Sequence, residues 1–194
     1  MSKTSPAKRR TQAERREASR QAVLDSACRL FGARGFADTS LEEIAADCGL
    51  TIRPIYHYFG NKKALFAAVN DLMEQRIIDS MVEEGDVLDN WRAYLALCDD
   101  PGFRQIVLVD SPNVLGRERW GSSRVTGRVR DAMLVNTEAD ERRKFRAELM
   151  FSVVMGAFAE AALTVAEAED IAMAKAEAEA LMASLFGEVL RSPG

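Results

Sequence analysis

The chain predicts an all-α fold, and three features of the sequence carry that expectation. Apolar residues recur at spacings of three and four along most of its length. The only β-rich run is Ile106-Val-Leu-Val109, and it follows Asp100-Pro-Gly102, which suits the start of a short helix equally well. Gly, Asn and Pro punctuate the periodic stretches where helices would stop. With 194 residues, 47% of them hydrophobic, there is enough apolar material for one large domain or two small ones.

The first helix is expected over Glu14 to Arg34, with Val23, Ala27, Leu30 and Phe31 on one side and Gly35 as its stop. A short second helix runs from Leu41 to Asp47, capped by Ser40 or Thr39, with Leu41, Ile44, Ala45 and Cys48 inward. Gly49 breaks it. Thr51 is placed to cap a third helix whose inner face is Ile52, Ile55 and Phe59. Gly60-Asn61 ends that one, and a longer helix is expected from Lys62 to Glu83. Further helices are expected at Val87 to Asp99, Gly102 to Val109, Leu115 to Val135, Glu138 to Ala166 and Asp170 to Arg191, with Thr137 and Asp140 resembling a capping box. Ala147 to Ala166 is apolar enough to require cover on both sides, but Glu148 and Glu160 and the charges at its start argue against a membrane span. Ile171, Ala174, Ala178, Leu181, Leu185 and Val189 form a stripe suited to a helix-helix seam.

Charge is unevenly spread. The chain carries -4 overall, but residues 1 to 63 hold 12 Lys and Arg against 7 Asp and Glu, a balance of +5 that leaves -9 for the rest. A basic end on an acidic body suits a protein that presents that end to phosphates. Met1 to Arg20 has no apolar run of the secretory kind, so a cytoplasmic protein is expected. Cys28, Cys48 and Cys98 read as free, buried thiols. With a single histidine, no metal or other cofactor is expected, and no catalytic constellation is evident, so the chain does not read as an enzyme.

Two short helices joined by a tight Gly turn, with a third helix before them, are the parts of a helix-turn-helix. Its third helix needs an apolar face for docking and an opposite face carrying donors, flat rings and charge. Opposite Ile52, Ile55 and Phe59 stand Arg53, His57 and Tyr58, with Tyr56 at the boundary. Arg53 can pair with a guanine edge through two hydrogen bonds, whereas Tyr56, Tyr58 and Lys62 suit the sugar-phosphate backbone.

The run from Gly35 to Phe66, with Thr39-Ser40 opening helix two, Ile44-Ala45, Gly49 before the turn, Tyr56-His-Tyr-Phe59 and then Lys63-Ala-Leu-Phe66, resembles the TetR family of bacterial repressors. Beyond it, Asp110-Ser-Pro-Asn-Val-Leu-Gly116 is also similar to that family. The resemblance implies a dimer on a palindromic duplex operator, released by a small-molecule effector, with DNA contacts from Thr39, Ser40, Thr51, Ile52, Arg53, Pro54, Tyr56, His57, Tyr58 and Lys62. Where the family often has Gly-Thr or Pro-Thr, this chain has Arg53-Pro54. Pro54 in the first helical turn costs no intrahelical bond, but it offers only apolar contact, which shifts base recognition toward Arg53.

The expected organisation is therefore a basic arm over residues 1-13, which includes Lys8-Arg9-Arg10, a DNA-binding unit over 14-60, and a helical effector-binding and dimerisation unit over 61-194 that pairs through its last two helices. Trp91, Phe103, Trp120, Met150, Val154 and Phe158 are the candidate effector contacts. Two rivals stand beside this reading: a ligand-independent DNA-binding dimer, and an enzyme or carrier with a vestigial helix-turn-helix.

Overall fold

The computed structural model describes residues 11-82, 85-116, 119, 123-134 and 140-186, and within them every regular element is a helix. The basic cluster Lys8-Arg9-Arg10 and Trp120 lie outside the described residues. Helix α1 spans Gln12–Arg34 and starts earlier than the apolar period suggests. Thr11 and Glu14 form a capping box there, the Glu14 N–H donating to the Thr11 hydroxyl and the Thr11 N–H to the Glu14 carboxylate. It ends at Gly35, whose φ of +82° places it where a side chain is strained.

Helix α2 occupies Leu41–Asp47 under a Ser40–Glu43 capping box, and α3 occupies Ile52–Phe59 after a turn in which Gly49 has φ +68°. Helix α4 runs over Lys62–Ser80, capped by the Asn61 side chain, and stops three residues short of the expected end. Ile44 and Ile55 are fully buried against α1. Phe31, Phe36 and Phe66 close this end of the core, with Phe66 edge-on to both other rings at 5.3 and 5.2 Å between centroids.

Helix α5, Val87–Leu97, begins at an Asp86 capping box. The next stretch departs from expectation. Instead of one helix over Gly102 to Val109 and another from Leu115, the chain turns as an α-helix over Pro101–Phe103, widens to a π-helix over Arg104–Asp110 and closes as an α-helix over Ser111–Val114; we call the whole α6. Pro112 has no N–H and its ring crowds the carbonyl four residues back, so the wide π turn ends just before it and leaves it in the first turn of the closing α-helical segment. Gly116 has φ +92°, and α7 occupies Arg124–Leu134.

Helix α8, Glu141–Glu167, is capped by Asp140 itself, whose carboxylate accepts from the Arg142 and Arg143 N–H groups; Thr137 lies outside the described residues. It is long and apolar enough to cross a membrane, but its buried residues, Val154, Phe158, Ala162 and Val165, form one stripe facing the core. Helix α9, Ile171–Phe186, folds back on α8 after a three-residue connection. One continuous core runs from Val23 in α1 to Met182 in α9. The expected division at residue 60/61 therefore falls at no gap in packing, because Leu65, Phe66 and Val69 of α4 are fully buried in that same core.

Where α1 crosses α6 the backbones nearly touch: a Cβ on Gly32 would lie 2.9 Å from the Gly102 Cα. Glycine is needed at position 32 because a side chain there must push one helix off the other, whereas a Cβ on Gly102 would stay 3.5 Å from the Gly32 Cα. Gly32→Val is expected to destabilise the fold by about 1–3 kcal/mol, although valine is the better helix former. Gly127, in α7, has nothing within 4 Å of an added Cβ, so Gly127→Ala should stabilise by about 0.5–1 kcal/mol. Urea unfolding midpoints of the two variants should move in opposite directions.

Candidate nucleic-acid interface and internal cavity

The turn between α2 and α3 is tied down by its own backbone: the Leu50 N–H reaches the Ala45 carbonyl at 2.9 Å and the Gly49 N–H the Ala46 carbonyl at 3.2 Å. Helix α3 then docks through Ile55, with Ile52 and Phe59 half-buried beside it, and Arg20 of α1 stacks its guanidinium on the Phe59 ring at 5.5 Å. This leaves Thr51, Arg53, Tyr56 and His57 exposed on the outer side, with Pro54 and Tyr58 half-exposed and the Tyr58 ring 5.5 Å from that of His57. Pro54 falls in the first turn of α3, where its missing N–H breaks no bond. Thr51 holds the N-cap position without a side-chain capping bond. Beside α3 lies a shallow groove lined by Ala37, Ser40, Tyr56, Asn61 and Lys62, where the amino-terminal ends of α2 and α4 meet the same surface. Asp38, Glu42 and Glu43 line the same groove, and the Ser40 hydroxyl is engaged with Glu43, so the exposed Tyr56 and the Lys62 ammonium are its groups suited to phosphate oxygens.

Two of the expected contacts have partners inside the fold. Thr39 is buried, and its hydroxyl donates inward to the Gly35 carbonyl at 2.9 Å, so its side chain does not reach a groove; it locks the α1–α2 turn instead. Lys62 is half-buried. Its ammonium donates to the Ala37 carbonyl at 3.2 Å and sits 4.3 Å from the Phe36 ring centre, which ties α4 to the same turn. Sequence reading missed a third residue of this junction, Asp110. At the last turn of the π segment of α6, its carboxylate accepts the Phe36 N–H at 2.7 Å, 74 residues away in sequence. Only the family-like run from Asp110 to Gly116 pointed there.

The second half encloses a cavity of about 700 Å³, the size of a drug-like ligand's site. Of the candidate effector contacts, Trp91 and Phe158 border it. Phe103 and Val154 do not: both are fully buried in the core, Phe103 packed edge-on to Tyr94 with its centroid 5.9 Å away. Met150 packs against that core and is also absent from the wall. Helical period identified the inward side of α8 but was one residue off the cavity, which takes Met155 and Ala159 along with Phe158. The cavity's other wall residues include Asn70, Glu74 and Ile77 of α4, Tyr94 of α5, Val107 of α6 and Thr126 of α7, none of them foreseen.

Comparison with known proteins gives consistent answers for both halves. Residues 23–69 match the family described as bacterial regulatory proteins, tetR family, and residues 85–189 match the tetracyclin repressor-like carboxyl-terminal domain. A crystal structure of a TetR-family transcriptional regulator from Pectobacterium atrosepticum is 31% identical, with a TM-score of 0.68 over 95% of this chain and 100% of that one. A TetR-like regulator from Rhodococcus sp. RHA1, at 22% identity and a TM-score of 0.57 over 93% and 99% of the two chains, shares the fold. The HTH-type transcriptional regulator AcrR of Shigella flexneri is 44% identical over 69 residues, 36% of this chain. That match spans 32% of AcrR, so the curated likeness is confined to about a third of the relative's length.

The seating of α2 under α3 depends on ionised carboxylates. Ser26 of α1 donates to the Asp47 carboxylate at 2.5 Å and Arg29 pairs with the same group, which holds Asp47 below the ordinary aspartate range. The Ser40 backbone and hydroxyl do the same for Glu43. A carboxyl depressed in the fold contributes stability above its unfolded pKa and loses it as pH falls through the folded value. Asp47→Asn should therefore lower the unfolding midpoint at neutral pH, and its difference from the parent should shrink once pH drops below about 4. Thermal scans of both proteins between neutral and acid pH would show it.

Proposed function

The chain belongs to the tetR family of bacterial regulatory proteins, and from that premise we propose that it is a cytoplasmic homodimeric repressor, held on a palindromic operator through α3 and released by a small molecule bound in the cavity. The observation that carries this reading is the course of α4. It begins at Lys62, directly after the recognition helix, and further along presents Asn70, Glu74 and Ile77 to the cavity. One helix thus meets both sites. An occupant acts on DNA only through a difference in its affinity for two arrangements of the dimer, and a typical coupling corresponds to roughly 5- to 150-fold in operator affinity.

Dimerisation is supported by the uncovered apolar side of the last two helices. Leu149 and Val153 of α8 and Met173, Leu181 and Leu185 of α9 are each more than half exposed. A patch of that kind is unusual on a monomer. The small residues Gly156, Ala172, Ala176 and Ala180, all exposed, let a second copy approach closely. A palindromic operator needs two copies of α3 about 34–36 Å apart, which a dimer supplies and a lone subunit does not.

On this reading Arg53 reads base edges, while Ser40, Thr51, Tyr56 and Tyr58 position the backbone and Ile52, Pro54 and His57 fill the groove surface. A cavity with α4 in its wall argues against a ligand-independent dimer, whose second half needs no void.

Arg53→Ala is expected to lose roughly 1–3 kcal/mol of discrimination between matched and mismatched operators. Equal weakening on both duplexes in binding titrations would take Arg53 out of base readout. Sedimentation of the intact chain should show a dimer, and Val153→Glu with Leu181→Glu should give a folded monomer that occupies half-sites weakly. A parent protein that runs as a monodisperse monomer at micromolar concentration would rule out the paired-site reading.

A further inference from the structure

We propose that the cavity selects a neutral, largely apolar molecule that presents a hydrogen-bond acceptor oxygen to the Trp91 indole N–H and the Tyr94 hydroxyl, in preference to a lipophilic cation or a free carboxylate. The inference rests on the effector role proposed for the cavity and deepens it by naming the chemistry of the ligand.

Trp91 and Tyr94 stand three residues apart on α5, so both side chains leave the helix on one side and border the same cavity. Neither the Trp91 Nε1 nor the Tyr94 hydroxyl has a hydrogen-bond partner, and both atoms are fully enclosed. A buried donor left unpaired keeps its desolvation penalty, which an incoming acceptor removes. The indole N–H can only donate. Burial pushes the Tyr94 phenol well above its ordinary pKa of 10, so it keeps its proton and can donate too. The rings themselves are held in place: Trp91 is stacked on Phe158 at 4.7 Å and on Tyr94 at 5.8 Å. Both polar atoms are closed to water, so the ligand oxygen reaches them by parting the side chains of the wall.

Charge on the wall argues for neutrality. Glu74 is the carboxylate set deepest, yet it accepts from the Asn70 amide at 3.2 Å and lies within 4.0 Å of Arg119 and 3.9 Å of Arg124. A cationic ligand would have to displace those arginines to gain a counter-ion. Asp79 and Arg128 are exposed and leave the interior to Ile77, Val107, Met155 and Phe158. A carboxylate buried there would exchange water for two neutral donors, which does not repay its desolvation.

The test is calorimetry on the intact chain with four probes: benzophenone, the matching hydrocarbon diphenylmethane, tetraphenylphosphonium and biphenyl-4-carboxylate. Benzophenone is expected to bind tightest, roughly 2- to 12-fold tighter than diphenylmethane. Tyr94→Phe should lower that ratio, and Trp91→Phe with Tyr94→Phe should bring it to about one. A merely structural role for the two residues would weaken ketone and hydrocarbon alike and leave the ratio unchanged. Tyr94→Phe also removes an unpaired buried hydroxyl, so that variant should melt no lower than the parent. Absence of ketone binding, equal affinity for ketone and hydrocarbon, a ratio that survives the double substitution, or tighter binding of the phosphonium would each overturn the proposal. Operator titrations with benzophenone separate the two readings: a ketone preference with unchanged operator affinity leaves the ligand chemistry standing and removes the effector role.

Discussion

Three phenylalanine rings, Phe31 of α1, Phe36 of the following turn and Phe66 of α4, close the junction on which both halves of the molecule depend. Burying aromatic surface at one point fixes the angle between α1 and α4 more firmly than any single hydrogen bond there. Around it, polar contacts set the turn itself: Thr39 on the Gly35 carbonyl, Lys62 on the Ala37 carbonyl, and Asp110 on the Phe36 N–H. The turn leads directly into α2, whose seating against α1 in turn carries α3. The recognition surface is thus positioned by contacts that none of its own outward side chains make.

Helix α3 meets two demands with eight residues. Its inner face is anchored by Ile55, and the outer face keeps Arg53, Tyr56 and His57 in solvent. The surplus of positive charge in the first third of the chain serves the same end, drawing the basic end toward phosphates while the acidic remainder is repelled from them. Replacing a hydroxyl by Pro54 within the first turn costs the helix nothing and changes what the surface can read.

Helix α6 is the second element common to both sites. Val107 in its π segment faces the cavity, and Asp110, one turn on, holds the α1–α2 turn. The close approach of Gly32 to Gly102 at its start leaves no slack between α1 and α6. A change in the cavity wall therefore has two packed routes to the DNA-binding end, through α4 and through α6, and both converge on the three-ring junction.

Local signals determined the DNA-binding half from sequence alone. Leu41–Asp47 and Ile52–Phe59 were legible because N-cap hydroxyl residues, a glycine between the helices and an apolar spacing of three and four all lie within a few residues of each other. The family resemblance lay in the same stretch. Past Pro101 the local signals conflict, and the path of α6 was decided by how a π turn accommodates Pro112 against the core. Helical period could say which side of α8 faces inward, but not whether the neighbour there is a side chain or a void. Phe103 and Val154 accordingly belong to the core, and Tyr94, Asn70 and Met155 to the cavity. Likewise, sequence showed that Thr39 and Lys62 stand near the recognition helix. Only the tertiary structure turned the Thr39 hydroxyl inward and the Lys62 ammonium onto a carbonyl and a ring, because their partners come from the α1–α2 turn, whose course neither residue's own neighbours dictate.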